Sequence, residues 1–181
     1  ADLIKNYGAN ELRFSLRQNI VIRNIKEENL PFFYQELAKL DMVALGYNTI
    51  GDITACPGTD TCNLGIASST GIADELEKVI KAEYPKYSNN QEIEIKISGC
   101  MNARGQHNMS AIGFQGMSIN SGKLVAPALQ VLLGGGRLGN GEGRFADKVI
   151  KIPSRRGPDA LRLILNDFEA NGNGSTFLDY Y

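Results

Sequence analysis

The chain has 181 residues, 43% of them hydrophobic and 22% charged, with 19 Lys and Arg set against 20 Asp and Glu for a formal charge of -1. That length allows one ordinary domain plus a small appendage, while the missing basic excess argues against bulk nucleic-acid binding. No apolar run approaches the roughly 20 residues that cross a bilayer, no leader-like segment opens the chain, and three cysteines are too few and odd in number for a disulfide framework; a reducing compartment, the cytoplasm, is expected.

The chain starts at Ala1, inside a helical pattern, as a piece of something longer would. Asp2 to Tyr7 is expected to be the end of a helix closed by Gly8. From Glu11 to Gln18, Leu12, Phe14 and Leu16 alternate with Arg13, Ser15 and Arg17, the period of a half-buried strand that places Arg13 and Arg17 on one face. Ile20 to Ile25 is a second β-branched run. Asn29 can cap a helix with Pro31 in its first turn, and Phe32, Phe33, Leu37 and Leu40 recur at helical spacing. This small β-β-α block, ending near Gly46, can bury its sheet face only against a partner.

A larger part begins near Asn48. Thr61 to Ser69 is a cysteine- and glycine-containing segment, followed by an amphipathic helix over Gly71 to Tyr84 and a polar turn over Pro85 to Gln91. Glu92 to Ser98 (EIEIKIS) alternates as a strand, and Ala111 to Asn120 and Ala126 to Leu133 form two more, joined at Ser121-Gly122. A loop over Gly134 to Gly143, a short strand over Lys148 to Ile152 and a helix over Asp159 to Asn171 follow, and the tail beyond is expected to be a surface arm. The fold class is α+β: a small unit over residues 1–47, then a mixed-sheet α/β unit over residues 48–181.

Cys56 and Cys62 form C-x5-C in a turn-rich context (ACPGTDTCNLG), and Cys100 follows the EIEIKIS strand in SGCMNARGQHN. Thiolates set among glycine and proline turns suit an iron–sulfur cluster, because a loop must wrap several irons without clashing. Free cysteines also serve as small buried hydrophobes, and spacing alone leaves both readings open. His107 is either a hydrogen-bonded structural side chain or a catalytic acid/base or iron ligand. Gly134-x-Gly136-x-x-Gly139 matches the form of a dinucleotide fingerprint, but the glycine run after it does not start the helix that phosphate binding needs.

These motifs occur in a fixed order: the YG-x-x-E-L-R-x-S-x-R-Q-N-I-x-I segment from Tyr7 to Ile22, Thr54-Ala-Cys-Pro-Gly to Cys62, Ser98 to His107, Ile112-Gly-Phe-x-Gly116, Leu132 to Arg137 and Asp147 to Pro153. In that order they resemble the sulfite and nitrite reductases that use siroheme and a [4Fe-4S] cluster. The resemblance covers nearly the whole chain. It implies a ferredoxin-like half-domain followed by a cluster- and siroheme-binding domain, together forming the second half of a pseudo-two-fold reductase. It further implies that Cys56, Cys62 and Cys100 are cluster ligands and that Asn102 lies beside the cluster. Arg104 falls where the family has its fourth cysteine, the thiolate that bridges cluster and haem. A guanidinium stays protonated and cannot ligate iron, so this position departs from the pattern.

By the same resemblance, Arg13 and Arg17 are expected to hold the anionic substrate. Asn19, Asn102, Arg104, Gln106, Gly135, Gly136 and Arg137 are expected to face the cofactors. The implied activity is six-electron reduction of sulfite or nitrite. The implied partners are the N-terminal half, a ferredoxin or flavoprotein donor, and a second copy pairing through the exposed half-interface; neither nucleic acid nor membrane is among them. The isolated chain is expected to be inactive, because most anion-holding side chains belong to the missing half. From a different class comes the alternative of a cofactor-free structural or assembly domain, which the substitution at Arg104 supports. A small carrier with a three-cysteine cluster is a third reading.

Overall fold

The structure, a computed structural model, describes residues 2–7, 11–139 and 141–181. The expected opening at Ala1 and the helix stop at Gly8 lie outside the described residues. Two compact units are present, Ala1–Tyr47 and Asn48–Tyr181.

In the first unit, helix α1 (Asp2–Tyr7) precedes an antiparallel pair, β1 (Leu12–Phe14) and β2 (Ile20–Ile22), in which Arg13 faces Val21. The long strand expected over Glu11 to Gln18 is not there. Ser15 Oγ accepts the N–H groups of Arg17 and Asn19, at 3.2 and 3.1 Å, and Gln18 takes a left-handed φ of 63°, so Ser15 to Asn19 closes as a hairpin loop. Arg17 is thus a loop residue, and alternation no longer aligns it with Arg13. A single 3-10 turn (Glu27–Asn29) leads into α2 (Leu30–Ala38). Asn29 is already helical there, at φ -93° and ψ -9°, and does not cap through its side chain. Phe33, 3% exposed, is the one buried side chain among the described residues of this unit, while Phe14 is 77% exposed.

The second unit is built on a five-stranded sheet ordered β3-β4-β5-β6-β9: β3 (Thr54–Ala55), β4 (Ile95–Ser98), β5 (Ile112–Ser121), β6 (Leu124–Leu133) and β9 (Asp147–Pro153). β3, β4 and β5 run parallel; β6 and β9 add antiparallel. Two helices, α3 (Ser69–Glu83) and α4 (Gly157–Asn171), supply Ile72, Leu76, Ile80, Leu161 and Leu165 to a core shared with Ile95, Ile97, Ile112, Phe114, Leu129 and Val131. Period-2 alternation puts these sheet residues on one face and Thr54, Lys96, Ser98, Gly113, Gln115 and Gln130 on the other. The helices are tied together where Tyr84 donates to Asn166 at 2.8 Å and Arg162 forks onto Glu83 at 2.6 and 2.7 Å.

Two expectations for the C-terminal region change. The loop over Gly134 to Gly143 contains a small hairpin, β7 (Gly136–Gly139) with β8 (Glu142–Arg144), held down by Arg144, which donates to the carbonyl of Leu178 at 2.6 Å. The tail is not an arm. Helix α5 (Phe177–Tyr180) buries Phe177 completely against Phe168 and Tyr181, and the Tyr180 and Tyr181 hydroxyls donate to Asp167 at 2.9 and 2.8 Å. No described helix is long and apolar enough to cross a membrane.

Candidate metal centre

The parallel strands β3 and β4 end side by side, Ala55 opposite Ile97, and each runs directly into a cysteine-bearing loop. Cys56 follows β3 at once; Gly99 and Cys100 follow β4. The carboxyl ends of parallel strands are where open α/β sheets place ligands, because the chain leaves the ladder there and its N–H groups become available.

Glycines lock these loops together. A Cβ on Gly99 would lie 2.6 Å from Gly58 Cα, one on Gly65 would lie 2.6 Å from the Gly58 carbonyl, and one on Gly116 would lie 2.3 Å from Gly99 O. All these neighbours are backbone, which cannot swing aside. Hydrogen bonds follow the same path: Ile66 and Ala67 N–H donate to Gly99 O at 2.8 and 3.1 Å, and Cys62 N–H donates to Gly58 O at 3.1 Å. Cys56, Cys62 and Cys100 therefore hang from one knot of backbone. Cys56 and Cys100 are buried, and Cys62 is half-buried.

The Cys56 thiol is biased toward its anion. Its sulfur accepts the Gly99 N–H at 3.1 Å, and Ser69 Oγ lies 3.4 Å from it while donating to the Cys56 carbonyl at 2.6 Å. Burial pushes the thiol up, but the Gly99 N–H, the Ser69 hydroxyl, the Gly58 N–H and the Arg104 charge together outweigh it and hold Cys56 below the ordinary thiol value.

The loop after Cys100 folds back as a roof over the polar face of the sheet. Gly105 N–H donates to Ser98 Oγ at 3.0 Å, and a Cβ on Gly105 would sit 1.9 Å from the Ile97 carbonyl. Lys96 Nζ donates to Gln106 Oε1 at 3.1 Å and pairs with Glu94 at 3.5 Å, and Arg137 reaches Glu94 at 3.8 Å. His107 is buried beside Gln115. Burial holds its imidazole below the ordinary histidine value against the Gln115 hydrogen bond, with the Lys148 charge adding to the depression, and its Nδ1 has no hydrogen-bond partner. Of the strand expected over Glu92 to Ser98 only β4, Ile95–Ser98, forms, and it is buried on both faces because the roof covers the polar one.

The candidate residues sort as follows. Cys56, Cys62, Cys100, Asn102, Arg104 and Gln106 share the knot and its roof, with Asn102 and Arg104 exposed. Gly135, Gly136 and Arg137 line a separate cleft of about 340 Å³ with Glu94, Thr176 and Asp179; its link to the roof is the Arg137–Glu94–Lys96–Gln106 relay. Arg13, Arg17 and Asn19 belong to the first unit. There Arg13 pairs with Glu11, and Asn19 Nδ2 donates to Arg17 O at 3.3 Å. Sequence reasoning missed Ser69, Lys96 and Gln115. The glycines at 58, 65, 99, 105 and 116 were the available signal, since their only common property is closeness of backbone.

Three thiols suit three iron corners, each bound to its own metal. Among the described residues no three His, Cys, Asp or Glu side chains are grouped to hold a single ion. At the fourth position stands a donor-only cation. These residues do not fit a four-thiolate cluster with a sulfur bridge to haem.

Comparisons with known proteins agree with this architecture. The nitrite/sulfite reductase ferredoxin-like half domain matches residues 1–40, and the nitrite and sulphite reductase 4Fe-4S domain matches residues 46–176. The chloroplastic ferredoxin–nitrite reductase of Zea mays is 30% identical over 142 residues, covering 75% of this chain and 24% of the maize protein. The assimilatory ferredoxin-dependent nitrite reductase of Haloferax mediterranei is 25% identical over 98% of this chain and 30% of its own length. A ferredoxin sulfite reductase of Mycobacterium tuberculosis is 27% identical over 75% of this chain and 25% of its own length. The chain thus spans about a quarter to a third of these relatives, at 24%, 30% and 25%. In fold it matches the solved Mycobacterium tuberculosis NirA protein with a TM-score of 0.80 at 23% identity, over 99% of this chain and 34% of that one. With both family models placed in order along it, and the second spanning most of its length, the chain belongs to the nitrite and sulphite reductase 4Fe-4S domain family.

Proposed function

We propose that this chain is the C-terminal part of an assimilatory-type siroheme reductase that takes sulfite or nitrite through a six-electron reduction. In this reading it supplies the cluster side of the centre and meets an N-terminal half that completes it. The observation that carries the reading is the glycine-locked convergence of the loops bearing Cys56, Cys62 and Cys100, with the Gly99 N–H donating to the Cys56 sulfur. Arg13 and Arg17 are assigned to holding the anion. Asn19, Asn102, Gln106, Gly135, Gly136 and Arg137 are assigned to the cofactor side. Ferredoxin is the favoured donor, since the named relatives use it; a flavoprotein is the other, and the cytoplasm is the favoured location.

Arg104 favours a second reading, a cofactor-free structural half. The two are separated by anaerobic reconstitution with iron and sulfide. Brown protein with iron and sulfide in near-equal amounts supports the first; folded, colourless protein with negligible iron supports the second. Either way, the chain alone is expected to show no six-electron turnover of sulfite or nitrite, and measurable turnover by pure material would contradict the assignment of the missing anion-holding groups to the other half.

A further inference from the structure

Strands β5 and β6 run past the rest of their sheet. β4 pairs with β5 only as far as Gln115, and β9 pairs with β6 only from Ala128 onward, so residues 116–121 and 124–127 stand out as a two-stranded ribbon. The register between the two strands is unbroken from Ile112 opposite Leu133 to Ser121 opposite Leu124, so alternation assigns each position to a face. On β5 the polarity changes sides at Gly116. Before it, Ile112 and Phe114 lie on the helix side and Gln115 on the roofed side. After it, Ser118 and Asn120 lie on the helix side, while Met117 and Ile119 lie on the roofed side, with Ala126 opposite Ile119 and Leu124 continuing the stripe. Leu124 is 74% exposed, and Met117, Ile119 and Ala126 are half-buried. A free-standing hairpin is marginal in water, and an apolar face turned to solvent gives it nothing.

We infer that the N-terminal half of the reductase covers this ribbon, seating an apolar surface of its own on Met117, Ile119, Leu124 and Ala126. The inference rests on the reading that such a half completes the chain, and adds the surface on which it sits. Position is the first argument. The ribbon leaves the sheet at Gly116, packed against Gly99 O beside the loop of Cys100, and the cysteine loops at this end carry the exposed apolar side chains Leu64, Ile66 and Met101. The stripe thus continues from the centre that the other half is to complete. Size is the second. Four side chains fall far short of the about 20–30 residues a side of a stable interface, so the stripe belongs to a broader contact with a large partner. The relatives have room for one, since this chain spans 24% and 30% of the maize and Haloferax reductases. Charge is the third. Residues 116–127 include Lys123 and no Asp or Glu, and Lys151 Nζ reaches Ser118 O at 3.3 Å, so a second copy laid face to face would set lysines against lysines.

The test titrates the full chain with the polypeptide encoded directly upstream of Ala1, expressed separately, and follows binding by calorimetry and sedimentation. Wild type is compared with Leu124→Ser and Ile119→Ser on the stripe and with Asn120→Ala on the opposite face, each first checked for an unchanged thermal transition. Wild type is expected to bind, with affinity falling about tenfold in Leu124→Ser and in Ile119→Ser, the scale of one apolar side chain left uncovered. Asn120→Ala is expected to bind as wild type does. Amide hydrogen exchange in residues 116–127 is expected to slow on binding. Binding that is indifferent to Leu124→Ser, with the ribbon amides exchanging as in the free chain, overturns the inference and leaves the reading of a completing half standing. A wild-type chain that dimerises alone and becomes a monomer in Leu124→Ser makes the occupant a second copy and likewise overturns it. Folded wild type that binds no upstream polypeptide overturns the completing half itself, and the inference with it.

Discussion

The two faces of the five-stranded sheet are built by opposite means from the same strands. On the helix side, Ile95, Ile97, Ile112 and Phe114 meet Leu76, Ile80, Leu161 and Leu165, side chain against side chain. On the roofed side, Gly105 and Gly113 let backbone meet backbone, with Lys96, Ser98 and Gln115 filling the polar gaps, while at the carboxyl ends of the strands Gly58, Gly65, Gly99 and Gly116 lock the cysteine loops in the same way. The first arrangement makes stability by burying apolar area. The second brings backbone segments so close that a Cβ at the contact points would clash.

The comparison is broken most sharply at Gly105. A methyl group there would lie 1.9 Å from the Ile97 carbonyl, so Gly105→Ala is expected to cost about 3 kcal/mol or more in urea unfolding and to abolish iron uptake. Leu165→Ala, on the other face and fully buried, is expected to cost about 3 kcal/mol while leaving iron uptake per folded molecule unchanged. Equal losses of iron in both variants would show that the faces are not separable. Lys96→Met strands Glu94 and Gln106, and because Arg137 still faces Glu94 the expected loss is smaller, about 2 kcal/mol, with iron uptake weakened. Tyr84→Phe removes only the hydrogen bond to Asn166 and is expected to cost about 1 kcal/mol without touching the metal chemistry.

His107 gives the smallest effect and a defined sign. Its folded-state value lies below the ordinary 6.5, so the unfolded chain binds the extra proton first as pH falls. Its contribution to stability is complete above about 6.5 and declines below it, with a slope of at most about 1.4 kcal/mol per pH unit from this one group. His107→Asn is expected to flatten that part of the stability profile; an unchanged profile would mean that the imidazole is not held neutral by its burial beside Gln115.

Much of this was legible in the residues. Alternation located β4 and helical spacing located α3 and α4, because both patterns report which face is buried. Pattern does not report what covers the opposite face. Lys96 is buried, because its cover comes from a loop containing two left-handed residues that carry no periodic signal. The RFSLRQN segment kept strand alternation past the point where Ser15 Oγ captures the backbone and turns it. Phe177, with Tyr180 and Tyr181, was the sign that the tail would dock, and the glycine-rich stretch before it concealed that sign. At the metal centre the cysteines were visible one by one. The knot that joins them was not, since close backbone approach leaves only scattered glycines in the sequence.

The first unit makes the complementary point. Phe33 is its one buried side chain among the described residues, whereas the second unit has a continuous core. Its exposed Phe14 and Leu16 are the apolar surface that a missing half, or a second copy, would be expected to cover.

The central claim is that three cysteine loops form one iron-binding cradle. Anomalous diffraction at the iron edge from crystals of the anaerobically reconstituted chain tests it most directly. Iron density enclosed by the sulfurs of Cys56, Cys62 and Cys100 is the expected result. Iron bound elsewhere, or none at these sulfurs in well-ordered crystals, would contradict it.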